Sequence, residues 1–166
     1  GTWARNVDWW QPGGNFHDYI LNSVDPSLYS GNDRFEWSGG YSDQARALGA
    51  FDLIDWISQH NWDSPDLFTH SHGGSVVMLA SRVVHIKKLV LLSCPVHRKK
   101  YWPNFKRIDR VISVRVHLDL VILADFGGQR FRDPDIEEHV LPIWFDHSET
   151  HNPNTWKVYD VPDMIR

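Results

Sequence analysis

The chain has 166 residues, of which 42% are hydrophobic and 23% are charged, as in an ordinary globular domain. Its net charge of −4 at pH 7 argues against a nucleic-acid partner, because surfaces that bind polyanions need a basic face. No apolar run is long enough to span a bilayer. The length suits one domain over residues 1–166.

Cys94 is the only cysteine, so no disulfide can form within the chain. It follows Leu91-Leu92-Ser93, which has the character of a buried strand end. We therefore expect a packed, inert thiol rather than a catalytic one. The lack of a signal peptide and of disulfide potential favours a cytoplasmic location.

The first third of the chain predicts few regular elements. Residues 1–30 are rich in Gly, Asn, Asp, Pro and aromatic residues, which indicates loops with a short helix over 15–22. Residues 34–37 are a short strand candidate that the following Ser-Gly-Gly would end. Ser42 is a suitable N-cap for a helix that apolar residues at helical spacing extend to about residue 58.

Strands and helices alternate through the rest of the chain. A buried helix is predicted over 73–84, and a further helix begins near Asn154. Strands are predicted at 66–69, 88–93, 110–118 and 140–145. This alternation predicts an α/β domain with a mainly parallel central sheet flanked by helices.

The most informative motif is Thr69-His70-Ser71-His72-Gly73-Gly74, which lies between a predicted strand and a predicted helix. It resembles the nucleophile elbow of the α/β-hydrolases, Gly-x-Ser-x-Gly, with Thr69 in place of the first glycine. Small residues are needed there because the serine sits on a strained turn. The resemblance implies that Ser71 is the nucleophile and that the backbone N–H of His72 is an oxyanion donor.

The family's chain order also assigns the other two members of a catalytic triad. In the α/β-hydrolases the acid follows a later strand and the histidine follows the last strand. By that resemblance Asp119 is the acid that orients the base, and His147 is the general base. Asp125 is the rival acid, and His151 is the rival base.

The start of the chain, Gly1-Thr2-Trp3-Ala4, resembles the end of a His-Gly-Thr-Trp oxyanion loop. The backbone N–H of Thr2 or Trp3 is therefore a candidate second oxyanion donor. In the family a strand precedes this loop, so we expect the domain to lack that upstream N-terminal strand. The connection over 95–108 is too short for the helical lid that many lipases carry, which favours soluble or short-chain esters.

The resemblance therefore implies a carboxylic-ester hydrolase, esterase- or lipase-like, that acts on a small-molecule ester without a cofactor or a metal. The same triad would also serve amides or thioesters. One alternative is a non-catalytic binding domain that keeps the fold. Another is a metal-dependent hydrolase, with ligands drawn from His70, His72, His147, His151 and Asp119.

Overall fold

The computed structural model describes residues 9–166. A sheet of four strands in the order β1-β2-β3-β4 forms the centre of the molecule, and all neighbouring strands are parallel. The strands are β1 (Asp66–His70), β2 (Ile86–Leu92), β3 (Ile108–Val116) and β4 (Ile136–Leu141). The predicted α/β class with a parallel sheet is confirmed.

Helices precede, connect and follow these strands. The α3 helix joins β1 to β2, and α4 lies between β3 and β4, as parallel neighbours require a crossover. Within residues 9–166 the α-helices are α1 (Asn15–Ser23), α2 (Asp43–Gln59), α3 (Gly73–Ala80), α4 (Leu120–Ala124), α5 (Pro153–Val158) and α6 (Val161–Ile165). No helix in this range combines the length and the apolar character needed to cross a bilayer.

The apolar core lies on both faces of the sheet, which is why β2 and β3 have nearly continuous runs of buried residues. On one face, Leu89 packs in a cluster with Leu53 of α2. On the other face, Val90 packs in a second cluster with Trp156 of α5. Successive side chains of a strand point to opposite faces, so β2 contributes to both clusters.

Two local predictions agree closely with the structure. The Ser42 hydroxyl accepts a hydrogen bond from the Ala45 N–H at 3.0 Å and caps α2, which runs one residue past the predicted end. The short helix predicted over 15–22 is α1. The helix predicted over 73–84 begins where expected but ends at Ala80.

The strand predicted at 34–37 is wrong. Those residues form no strand, and Phe35 and Trp37 instead pack against the core cluster that includes α2. The aromatic character that suggested a strand therefore reflects packing.

The last strand is displaced from its predicted position at 140–145. It covers Ile136–Leu141, because its register pairs Ile136 with Val111 and Leu141 with Val116. Pro142 follows, and it has no N–H to extend the strand pairing. His147 therefore lies well inside the following loop, over residues 142–148, which we call the base loop.

Candidate active site

Ser71 lies on a sharp turn between β1 and α3. Its φ is +54°, a left-handed conformation that is strained for a residue with a side chain. The Ser71 N–H donates to the Leu92 carbonyl at 2.9 Å, which ties the turn to the end of β2. The Ser71 side chain is largely buried, with the residue 6% exposed.

The two glycines after His72 allow α3 to approach the strands closely. A Cβ at Gly73 would lie 2.6 Å from Thr69 Oγ1, and a Cβ at Gly74 would lie 2.6 Å from Cys94 Sγ. Either contact would force a rearrangement. Thr69 is accommodated in place of the usual glycine because Gly73 leaves room for its hydroxyl. We refer to residues 69–74 as the elbow.

Asp119 and His147, predicted as acid and base, lie in direct contact. Asp119 Oδ2 is 2.6 Å from His147 Nδ1. The other carboxylate oxygen caps α4 by accepting hydrogen bonds from the N–H groups of Val121, at 3.0 Å, and Ile122, at 3.2 Å. The Asp119 side chain is fully buried, and that of His147 is 15% exposed.

The charge state of Asp119 fixes the tautomer of His147. Burial alone raises the pKa of Asp119, but the hydrogen bonds from His147 and from the α4 N–H groups outweigh it and leave the pKa lowered. Asp119 is therefore a carboxylate at neutral pH, so His147 Nδ1 must carry the proton that it shares with Asp119. In this tautomer His147 Nε2 is the ring nitrogen that can accept a further proton.

The side chain of Gln129 forms hydrogen bonds with the backbone of Asp119, a contact that the sequence does not indicate. Its amide oxygen accepts from the Asp119 N–H at 2.9 Å, and its amide nitrogen donates to the Asp119 carbonyl at 3.0 Å. This two-way bond fixes the backbone of Asp119. A glutamine in a loop gives no local sequence signal of such a contact.

The elbow and the base loop meet at His70. The rings of His70 and His147 have centroids 4.6 Å apart, and His70 Nε2 lies 3.2 Å from the His147 carbonyl oxygen. Among the described residues, no hydrogen bond joins Ser71 to His147. In enzymes, the hydrogen bond between a nucleophile and its base is often loose without substrate and tightens when substrate binds.

His151, the rival base, has a different environment. Its ring stacks on Trp9, with centroids 4.0 Å apart and planes 6° from parallel. Burial lowers the pKa of His151 to about 4. Asp119 contacts His147 and not His151.

Asp125, the rival acid, belongs to a separate group that we call the Arg46 cluster: Arg46, His72, His97 and Asp125. Asp125 Oδ2 accepts from His97 Nε2 at 2.8 Å, and its two oxygens lie 3.3 and 3.4 Å from Arg46 Nη2. The same Arg46 nitrogen donates to His72 Nδ1 at 2.8 Å. Burial lowers the pKa of His72 to about 4, although Asp125 opposes the shift.

The oxyanion donors predicted from the sequence are only partly in the described region. His72 is the N-cap residue of α3, and no acceptor for its backbone N–H is found within residues 9–166. The dipole of α3 adds positive potential at the same place. Thr2 and Trp3, the candidate second donors, lie outside the described residues.

Two other sequence interpretations bear on this region. Within residues 9–166, no group of three or more His, Cys, Asp or Glu side chains is arranged to hold a metal ion. The metal-hydrolase alternative therefore has no ligand set in this part of the chain. Cys94 is buried, as predicted, and burial raises its pKa to about 12.

Comparisons with known proteins do not indicate a function, so an assignment must be based on the site residues described above. No model of a known protein family matches the chain. A search of the curated proteins found no significant match. The fold and site define an α/β domain with a parallel sheet, and with a strained serine and a histidine–aspartate pair at the carboxyl ends of the strands.

Proposed function

We propose that the protein is a serine hydrolase of the α/β-hydrolase type that cleaves carboxylic esters through an acyl-enzyme. The observation that carries this proposal is the 2.6 Å contact between Asp119 Oδ2 and His147 Nδ1, next to an elbow that holds Ser71 at a φ of +54°. A strained serine between a parallel strand and a helix is the geometry that exposes a nucleophile in that class.

In the first half of the reaction, Ser71 Oγ attacks the ester carbonyl carbon, and its proton passes to His147 Nε2. Asp119 remains ionised and stabilises the imidazolium through Nδ1–H. The backbone N–H of His72 donates to the oxyanion. The C–O bond to the alcohol then breaks, and His147 gives its proton to the leaving oxygen.

In the second half, water attacks the acyl-enzyme carbonyl. His147 Nε2 takes one proton from that water and returns it to Ser71 Oγ as the C–O bond to Ser71 breaks. The carboxylic acid leaves, and the free enzyme is restored. No cofactor enters either step.

The connection between β2 and β3 bears on the substrates that the site would accept. Residues 93–107 contain no helix, so no helical lid arises from this segment. The lack of a helical lid in this connection favours small soluble esters over substrates held in a lipid interface. Amides and thioesters share the same chemistry, and their rates should be compared with that of an ester of equal acyl length.

The test is hydrolysis of 4-nitrophenyl butyrate by the Ser71→Ala variant. We expect a loss of at least about 10³-fold, because the attacking oxygen is removed. Ser75→Ala is the matched control, since Ser75 is also buried but lies within α3, four residues after Ser71. If Ser71→Ala retained most of the activity, the serine mechanism would be wrong.

A further inference from the structure

His70 touches both halves of the proposed machinery. It is the residue directly before Ser71, and its Nε2 lies 3.2 Å from the backbone carbonyl of His147, 77 residues further along the chain. The His70 ring also packs edge-on against Trp9 and His151, with centroids 5.5 and 4.5 Å away. One side chain therefore links the elbow to the base loop.

The chemistry of the contact defines the tautomer of His70. A backbone carbonyl oxygen only accepts hydrogen bonds, so His70 must carry a proton on Nε2. Burial lowers the pKa of His70 well below its usual value, and the neighbouring His147 and His151 lower it further. His70 is thus a neutral imidazole, with its proton on Nε2 and a bare Nδ1.

Hydrogen bonds therefore fix both the ring and the backbone of His147. Asp119 fixes the ring through Nδ1 at 2.6 Å, and His70 fixes the backbone through the carbonyl oxygen at 3.2 Å. With the ring and the backbone both tied, the direction of Nε2 is determined. His70 is joined to Ser71 by a peptide bond. The same hydrogen bond therefore also fixes the position of His147 relative to Ser71.

We infer that His70 is a positioning residue that sets the distance between Ser71 and His147 by donating its Nε2–H to the His147 carbonyl; this rests on the proposed function. Keeping His70 neutral matters to the same task. A positive charge 4.6 Å from the His147 ring would oppose formation of the imidazolium that catalysis requires.

Two amide variants test this geometry. The side-chain nitrogen of Gln reaches the place of His Nε2, whereas that of Asn reaches only the place of Nδ1. We expect His70→Gln to keep kcat within a few-fold of wild type. We expect His70→Asn to lower kcat by roughly 10- to 100-fold with KM little changed, because a misplaced base costs rate and not binding. Equal kcat values for the two variants, at equal thermal midpoints, would overturn the inference.

A second measurement needs neither a variant nor activity. Nitrogen-15 NMR of the imidazoles in the wild-type protein reports which ring nitrogen bears the proton. We expect His70 to be the Nε2–H tautomer and to stay neutral at pH values below 6.5, where an unshifted histidine would take up a proton. A Nδ1–H tautomer would remove the donor and refute the positioning role.

The same experiments separate failure of the inference from failure of the proposed function. A wild-type protein that lacks Ser71-dependent hydrolysis, yet holds His70 as Nε2–H, would contradict the proposed function alone. A wild-type protein that hydrolyses the ester through Ser71, with His70→Asn as active as His70→Gln, would contradict the inference alone.

Discussion

Two aspartates that contact histidines, Asp119 and Asp125, lie near the carboxyl ends of the parallel strands, and they differ in the partners of the carboxylate. Among residues 9–166, the Asp119 carboxylate contacts one imidazole, that of His147, and otherwise accepts hydrogen bonds from backbone N–H groups alone. Asp125 lies against His72 at 3.5 Å but also binds His97 and the buried guanidinium of Arg46. The carboxylate of Asp119 is therefore available to an imidazolium, whereas that of Asp125 is already balanced by a cation.

His147 and His72 are also opposite tautomers, because their Nδ1 atoms have different partners. His147 Nδ1 faces a carboxylate, so it carries a proton and leaves Nε2 as a base. His72 Nδ1 accepts from Arg46, so it is bare and the proton lies on Nε2. Proximity of histidine to aspartate thus does not by itself define an acid–base pair. The groups around the carboxylate decide whether the imidazole can gain a proton.

The largest difference in activity is expected between substitutions of His147, in the base loop, and of His151, which follows that loop. His147→Gln should lose nearly all ester hydrolysis, since no group is left to take the Ser71 proton. His151→Gln should lose only a modest part, because His151 is stacked on Trp9 and does not contact Asp119. Steady-state rates with 4-nitrophenyl butyrate measure both. If His151→Gln were the inactive variant, the base would have to be reassigned.

The next largest difference is expected between the two carboxylates. Asp119→Asn should lower kcat by about 10³- to 10⁴-fold, because the amide no longer stabilises the correct His147 tautomer or its imidazolium. Asp125→Asn should lower kcat far less but reduce the free energy of unfolding, because Arg46 loses its buried counter-charge. The comparison needs kcat and a urea midpoint for each variant. A larger kcat loss in Asp125→Asn would reverse the assignment of the acid.

A smaller effect concerns stability in acid. The pKa of His72 is about 4 in the folded protein, below its ordinary value of 6.5. The unfolded chain therefore binds a proton that the folded protein excludes, so this contribution is complete above pH 6.5 and is lost as pH falls toward 4. His151 has the same shift and adds a similar loss. We expect the urea midpoint to fall markedly between pH 7 and pH 4.5.

His72→Gln isolates one part of that acid effect. It should reduce the change in midpoint between pH 7 and pH 4.5, because one excluded proton is gone while those of His70 and His151 remain. Lys99→Met is the control, since Lys99 is exposed, forms no ion pair within residues 9–166 and should leave the pH dependence unchanged. An identical pH dependence in wild type and His72→Gln would mean that His72 is not held neutral.

The sequence predicted the elements whose signals are local. The Ser42 cap and the serine turn between a strand and a helix depend on residues within a few positions of one another, and both are found in the structure. The strand at 34–37 failed because Phe35 and Trp37 pack against distant residues of the core. The end of the last strand was misplaced because its register is fixed by pairing with β3.

The residues of the candidate site also include some that could be predicted from the sequence and some that could not. Family resemblance and chain order were enough to propose Asp119 and His147, and the structure brings them into contact. The contacts of Arg46, His70 and Gln129 were not predictable. Arg46 looks like a surface charge on a helix, and the partners of His70 and Gln129 are defined only by the way the chain folds back on itself.

The central claim is that Ser71 is an activated nucleophile, and covalent labelling tests it most directly. The wild-type protein is incubated with a fluorophosphonate probe, digested and analysed by mass spectrometry. We expect a single adduct on the peptide that contains Ser71, slowed strongly in His147→Gln and absent in Ser71→Ala. A wild-type protein that stays unlabelled, or that is labelled at another residue, would contradict the claim and favour a non-catalytic domain or a different site.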